Sequence, residues 1–409
     1  MSSQNPDQNY DENQEAARGR AVDARELADE RTEEVQQYLR DLYDRREVVT
    51  QTTTPSGQQL DWVPAESQIG GARLAYPPDE DRPPTYRDDR RAEAVSFELQ
   101  RTGAERGPEG TVPLVRKPIE EIRPGVALQD WLAKGNRPKV LPPPDAPPSF
   151  EVPGGDQHKY AYSYLNVTCY GTEGNINAWA TWVEWSNEFS LGQLWLTRGT
   201  GSGHQTLEVG HQVYRDLYGD WNPHLFIFYT TNNYTASGDN LGGYNQDVAG
   251  WVQYSNQVYP EAISSPVSVF DGQQYELQLK VQLWEGNWWV RVNGIWMGYY
   301  PSTLYNSGGL QSQADSVLWG GEVVDAGDHP ERTQTDMGSG HWPEDGWQKC
   351  AYMNGLLYQS ATDGTMSRYA ATAVEPEPLC YGIIGHFNDP GSWGSHFWWG
   401  GSGRNSGCP

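Results

Sequence analysis

The sequence predicts an all-β fold, an antiparallel β-sandwich or barrel over residues 156–409, preceded by a small mixed α/β region and a proline-rich linker. Three observations carry this. From Tyr160 onward, short runs rich in Trp, Tyr, Val and Thr are broken by Gly, Asn, Asp and Ser with no helical segment between them, and strands without helical crossovers pair antiparallel. YELQLKVQL alternates apolar and polar residues, then turns through Glu-Gly-Asn into WWVRV, the pattern of a hairpin. Composition also changes along the chain: 16 of the 18 Trp and all four Cys lie beyond Ser149.

Residues 1–20 are polar and charged with almost nothing to bury, and disorder is expected there. Over 21–46 Ala21, Leu27, Val35, Leu39 and Leu42 recur at helical spacing among charges, a narrow stripe suited to packing on another surface. VVTQTTTPSGQQLDWVPAESQ reads as two short strands around a Pro-Ser-Gly turn, and residues 74–95 as a loop. After PEGTVPLVRKPIEEI, the proline-dense stretch 136–155 can form neither helix nor sheet, so the folded regions expected are 21–135 and 156–409. In the second region Trp288-Trp289 and Trp398-Trp399 must point to opposite faces of their strands, so one ring of each pair lies outside the core of a one-sided sheet. No internal repeat of fixed period supports a propeller.

The formal charge is −25, from 29 basic and 54 acidic residues, which leaves no basic face for nucleic acid or an anionic membrane. No apolar run is long enough to cross a bilayer, and the opening MSSQNPDQNYDENQEAARGR has no apolar signal-peptide core.

The common nucleophile, metal and phosphate motifs are missing, and the GTGSG at 199–203 lacks the Lys and helix of a phosphate loop. No metal or cofactor is expected. Carboxylates remain. Two lie in strand-like, glycine-flanked segments: Glu208 in TLEVGHQVY and Glu322 in LWGGEVV. A charge in a strand centre is costly without a partner or a task. Two facing acids could share one proton, the ionised one activating water and the protonated one polarising a carbonyl; equally, each could simply pair with a cation or backbone donors.

Several spaced stretches, LEVGHQVYRDLYGD, HLFIFYTTNNY, GNWWVRVNGIWMGYYP, VLWGGEVV, TQTDMGSGHWPEDG and CYGIIGHFNDPGSWGSHFWWGGSGRNSGCP, together resemble the catalytic domain of the neprosin family of glutamic peptidases over residues 193–409. TTTPSGQQLDWVPAESQ and PEGTVPLVR resemble the start and end of that family's activation segment. The resemblance implies a two-sheet antiparallel sandwich of jelly-roll or concanavalin-like type, with Glu208 and Glu322 as the catalytic pair. It also implies acid-active cleavage after proline following removal of a propeptide, no cofactor, a secreted protein, and a bridge between Cys380 and Cys408. The sequence departs from the family pattern at GGYNQDV, where a Cys is missing, and at Asp336, where Gln is expected. Cys169 and Cys350 are left either as a second bridge or as thiols.

The resulting expectation is a monomeric zymogen of a glutamic endopeptidase. Its partners are a proline-containing peptide or protein substrate and its own propeptide as inhibitor, with Trp289, Tyr299, Trp319 and Asp336 shaping the substrate pocket. The alternatives are a carbohydrate-binding or glycoside-hydrolysing sandwich using the same acids, and a non-catalytic relative.

Overall fold

A computed structural model describes residues 6–79, 92–135, 157–327 and 331–408. The proline-rich linker, 136–155, lies outside the described residues. The N-terminal region holds α1 (Pro6–Asp44), β1 (Thr50–Thr53), β2 (Gln59–Pro64), β3 (Ala92–Ala94), β4 (Thr111–Arg116) and a short α2 (Leu128–Leu132). Its helix begins at Pro6, so the disorder expected up to residue 20 gives way to helix over 6–20, where Glu, Gln, Ala and Arg supply helical propensity. The C-terminal half of α1 docks through Val35, Leu39 and Tyr43 against Ile122.

The larger region is a sandwich of two antiparallel layers. Its strands are β5 (Gln157–Cys169), β6 (Gly171–Asn177), β7 (Phe189–Arg198), β8 (Gln205–Val213), β9 (His224–Thr230), β10 (Gly242–Tyr244), β11 (Val252–Gln253), β12 (Gln274–Trp284), β13 (Asn287–Val292) and β14 (Ile295–Pro301). They continue with β15 (Ala314–Asp325), β16 (Ala351–Gln359), β17 (Met366–Arg368), β18 (Thr372–Val374), β19 (Gly382–His386) and β20 (Ser395–Gly400). One sheet runs β10-β9-β8-β7-β15-β5-β18; the other runs β11-β14-β13-β12-β6-β16-β20-β19, with β17 and β3 attached. The predicted hairpin is β12–β13, and Glu285 and Gly286 turn it with φ of 46° and 73°, a left-handed pair that matches strand twist.

Strand alternation fills the space between the sheets with Leu194, Leu196, Leu207, Val209, Leu277, Leu279, Val281, Trp288, Trp319 and Trp399. Trp288 and Trp399 therefore face inward, and Trp289 and Trp398 outward. The N-terminal region is not a separate body: Leu60, Trp62, Val95, Phe97, Leu99, Val115 and Leu132 belong to the same apolar cluster. Its β3 pairs in parallel with Gln274–Glu276 of β12, and buried Lys117 pairs with Asp247 and Glu261. Cys380 and Cys408 are bridged, with Cα atoms 5.3 Å apart. Cys169 and Cys350 are buried thiols, and burial pushes Cys169 up to about 12.

Candidate active site

The outward face of the seven-stranded sheet forms the floor of the site, and pairing register fixes which side chains share it. One row reads Thr372, Tyr164, Leu318, Trp195, Glu208, Phe228, Tyr244. The next reads Val374, Tyr162, Gly320, Gln193, Gly210, Phe226, and the third contains Tyr160, Glu322, Leu191, Gln212 and His224. Glu208 on β8 and Glu322 on β15 thus flank β7 diagonally, and Gln193 lies on the strand between them.

The glycines of the Gly-Gly-Glu motif serve opposite faces. A Cβ on Gly321 would meet the Trp399 ring at 2.3 Å in the inter-sheet core, whereas one on Gly320 would meet Tyr162 Cβ at 2.4 Å on the floor of the site. Only glycine lets both rings approach the strand that carries Glu322.

Both glutamates are buried. The side chain of Lys134, just after α2, enters between them. Its Nζ donates to Glu208 Oε2 (2.5 Å), Glu322 Oε2 (2.6 Å) and Gln193 Oε1 (3.1 Å). Burial disfavours the Lys134 ammonium, but attraction by Glu208 and Glu322 prevails and raises its pKa above the ordinary value. The other oxygens are also occupied. Glu208 Oε1 accepts from Tyr234 (2.6 Å) and Thr206 (2.9 Å). Glu322 Oε1 contacts His158 Nδ1 (2.5 Å) and accepts from Tyr160 (3.1 Å), and Gln193 Nε2 donates to its Oε2 (2.9 Å). Burial first, then the charge of the neighbouring glutamate, drives the Tyr160 and Tyr234 hydroxyls well above their ordinary pKa, so both remain donors. A single small group bound where the ammonium lies touches both carboxylates, which is the geometry a shared, activated water requires.

The structure brings Glu208 and Glu322 together but not Trp319, Trp289 and Tyr299, three of the residues expected to shape the pocket. Trp319 lies three residues from Glu322, an odd step along a strand, and so faces the opposite side; it is buried between the sheets with its Nε1 donating to Thr172. Trp289 and Tyr299 sit on the outer face of the other sheet, covered by Ile69, Leu74 and Ala75. Asp336 lies on the loop after β15, its carboxyl packed over Gly340, and burial raises its pKa to about 7. Sequence reasoning missed Lys134, His158, Gln193 and Tyr234, whose proximity depends on sheet order. Tyr160, Tyr162 and Tyr164 were legible as an alternating YAYSY run. Among the described residues, Glu377, Cys380 and Cys408 lie close enough to suggest metal ligation, but the two sulfurs are bonded to each other.

Two solved structures, both little like this chain in sequence, are similar over most of their own length. Scytalido-glutamic peptidase with a transition state analog inhibitor is 8% identical and covers 60% of this chain and 99% of its own, at a TM-score of 0.30. SCP-B, a member of the Eqolisin family of peptidases in complex with the tripeptide Ala-Ile-His, is 7% identical with the same coverage and a TM-score of 0.29. The Neprosin sequence family matches residues 186–402, more than half of the chain and the part that carries both glutamates. The chain therefore belongs to the neprosin family, and it is a glutamic peptidase.

Proposed function

We propose that the protein is a secreted zymogen of an acid-active endopeptidase that cleaves after proline, with residues 21–135 as its inhibitory propeptide. The observation that carries the zymogen reading is Lys134, a cation from the N-terminal region seated between the two glutamates. Carboxyl groups ordinarily protonate near pH 4, and each proton reaching the pair removes one partner of the ammonium. When Lys134 leaves, water takes its place.

The donors divide the roles. Apart from Lys134, which bonds to both, Glu322 faces His158, Tyr160 and Gln193, which together favour its carboxylate, whereas Glu208 receives the hydroxyls of Tyr234 and Thr206. Ionised Glu322 takes a proton from water as its oxygen attacks the scissile carbonyl carbon. Protonated Glu208 polarises the carbonyl oxygen. The carbon–nitrogen bond then breaks as Glu208 gives its proton to the leaving nitrogen, and the proton taken from water stays on Glu322 so that the pair again holds one.

The test is hydrolysis of a proline-containing fluorogenic peptide at pH 3–5 by wild type, Glu208→Gln and Glu322→Gln, with mass spectrometry of the acidified chain. The expected result is cleavage lost in both variants and a new N-terminus between Val115 and Tyr160 in wild type. Cleavage of a polysaccharide but not a peptide, or full activity in either variant, would overturn the reading.

A further inference from the structure

We infer that loss of the N-terminal region uncovers a second, non-catalytic site on the sheet opposite the glutamates, where an extended stretch of a protein substrate docks; this rests on the zymogen reading above. The site is the outer face of the ten-stranded sheet at its β11 edge. Register puts Gln282, Trp289, Tyr299 and Val252 in one row across β12, β13, β14 and β11. The centroid of the Trp289 ring lies 4.6 Å from that of Tyr299, 5.3 Å from Tyr254 and 6.0 Å from Trp296. With Trp284 and Val252 these rings form one apolar cluster.

A piece of the chain itself already occupies this groove. Ile69, Leu74 and Ala75 of the N-terminal region pack on it, and the Ala75 N–H donates to the Tyr299 hydroxyl at 3.4 Å. Because β11 is the edge of its sheet, its outward main-chain groups need partners. They find them in the carboxamide of Gln68: the Gln253 N–H donates to Gln68 Oε1, and Gln68 Nε2 donates to the Gln253 carbonyl, both at 2.9 Å. One side-chain amide thus stands in for a peptide unit of a neighbouring strand. The fit is incomplete. Ile69, Leu74 and Ala75 are only half-buried, and the Trp289 Nε1–H, although fully buried, has no acceptor among the described residues.

When Gln68 to Ala75 leave with the N-terminal region, the edge loses its donor and acceptor and the aromatic cluster loses its cover. An aromatic face beside an open strand edge suits an extended polypeptide: its main chain pairs with Gln253, its alternate side chains enter the groove, and a carbonyl meets the Trp289 donor. The location sets which substrates gain. β10 and β11, each at the edge of its sheet, are joined by the short segment 245–251, so a chain leaving the glutamates rounds that end of the sandwich to reach the groove. With sheets about 10 Å apart and about 3.3 Å per extended residue, that path takes on the order of ten residues. A protein substrate spans it; a short peptide does not.

The experiment acidifies full-length wild type, Trp289→Leu and Tyr254→Ala, isolates the activated chain by gel filtration at pH 4, and compares kcat/KM on casein and on a short proline-containing fluorogenic peptide. Both substrates are read with and without a synthetic peptide of residues 65–76, which contains no proline. The expected result is that the 65–76 peptide, or either variant, lowers kcat/KM on casein roughly fivefold through KM and leaves the short substrate within about twofold. In the variants the 65–76 peptide has no further effect. Tyr254 is half-buried, so its variant decides the matter if Trp289→Leu misfolds. Casein hydrolysis untouched by the peptide and by both variants overturns the docking site, as does an equal loss on both substrates, which a purely structural role predicts. Elution as a dimer that the 65–76 peptide splits assigns the groove to a second copy and also overturns it. If mass spectrometry shows the full chain persisting in acid, the zymogen reading fails and the groove stays closed. If the N-terminal part is cut and shed but casein and the short substrate respond alike, the docking site alone is refuted.

Discussion

Replacing Lys134 by alanine tests the central contact of the molecule. The side chain is fully buried, and three acceptors on three strands converge on its nitrogen at 2.5–3.1 Å. Removing one partner of a buried ion pair typically costs about 3–5 kcal/mol, because the remaining charges lose compensation. Here the carboxylates recover part of that by sharing a proton or admitting water, so a net loss near 3 kcal/mol is expected, a shift of about 10²-fold toward the open site. The linkage has a definite sign. The Lys134 pKa is raised in the fold, so its stabilisation is fully present below the ordinary lysine value of about 10.4 and is lost only above it. The acid side of the lock is therefore set by its carboxylate partners. Peptide hydrolysis by intact chain, followed within seconds of mixing at pH 4 to 7, should appear in Lys134→Ala at a pH where wild type is silent. Latency identical to wild type across that range would refute the assignment of Lys134 as the plug.

Asp61→Asn should destabilise the N-terminal region by about 3–5 kcal/mol, seen as a lower melting temperature at pH 7, because Asp61 is fully buried between Arg46 and Arg116. Burial disfavours the Asp61 carboxylate, but donors from Arg116, Gln51 and Arg46 outweigh it and lower its pKa; its contribution is present above the ordinary Asp value of about 3.9 and is lost as pH falls through the depressed value. Asp336→Asn should do the reverse. Since burial raises the Asp336 pKa to about 7, the native state loses stability as pH climbs from about 4 to 7, and the variant should be more stable by about 1–2 kcal/mol at pH 7 and unchanged at pH 3.5 in calorimetry. Gly321→Ala drives a methyl into Trp399 and Met337 and should cost about 1–3 kcal/mol with a marked loss of kcat, since Glu322 is the next residue; an unshifted melting curve would show that the core relaxes freely.

The two glutamates were legible because a charge amid strand residues and glycines is conspicuous, and the strand alternation of YELQLKVQL and WWVRV survives in β12 and β13. Trp319 stands at an odd offset from Glu322 along its strand, and strand alternation alone excludes it from the same face. The misplacement of Trp289 and Tyr299 has another cause. They belong to β13 and β14 of the opposite sheet, and which strands share a sheet with Glu322 is decided by non-local pairing that no local pattern encodes. Lys134 was invisible for the same reason, as its partners lie 74 and 188 residues downstream.

The strand that β3 lends to β12, with Trp62, Phe97 and their neighbours inside the common core, bears on what a single backbone cut achieves. Cleavage between residues 136 and 156 breaks no hydrogen bond of that strand and exposes none of that apolar surface. It changes only the molecularity: a contact held at the effective concentration of a tether becomes an equilibrium between two chains. The nicked protein would then behave as a heterodimer whose opening follows dilution as well as acid, so its specific activity should rise as total protein concentration falls.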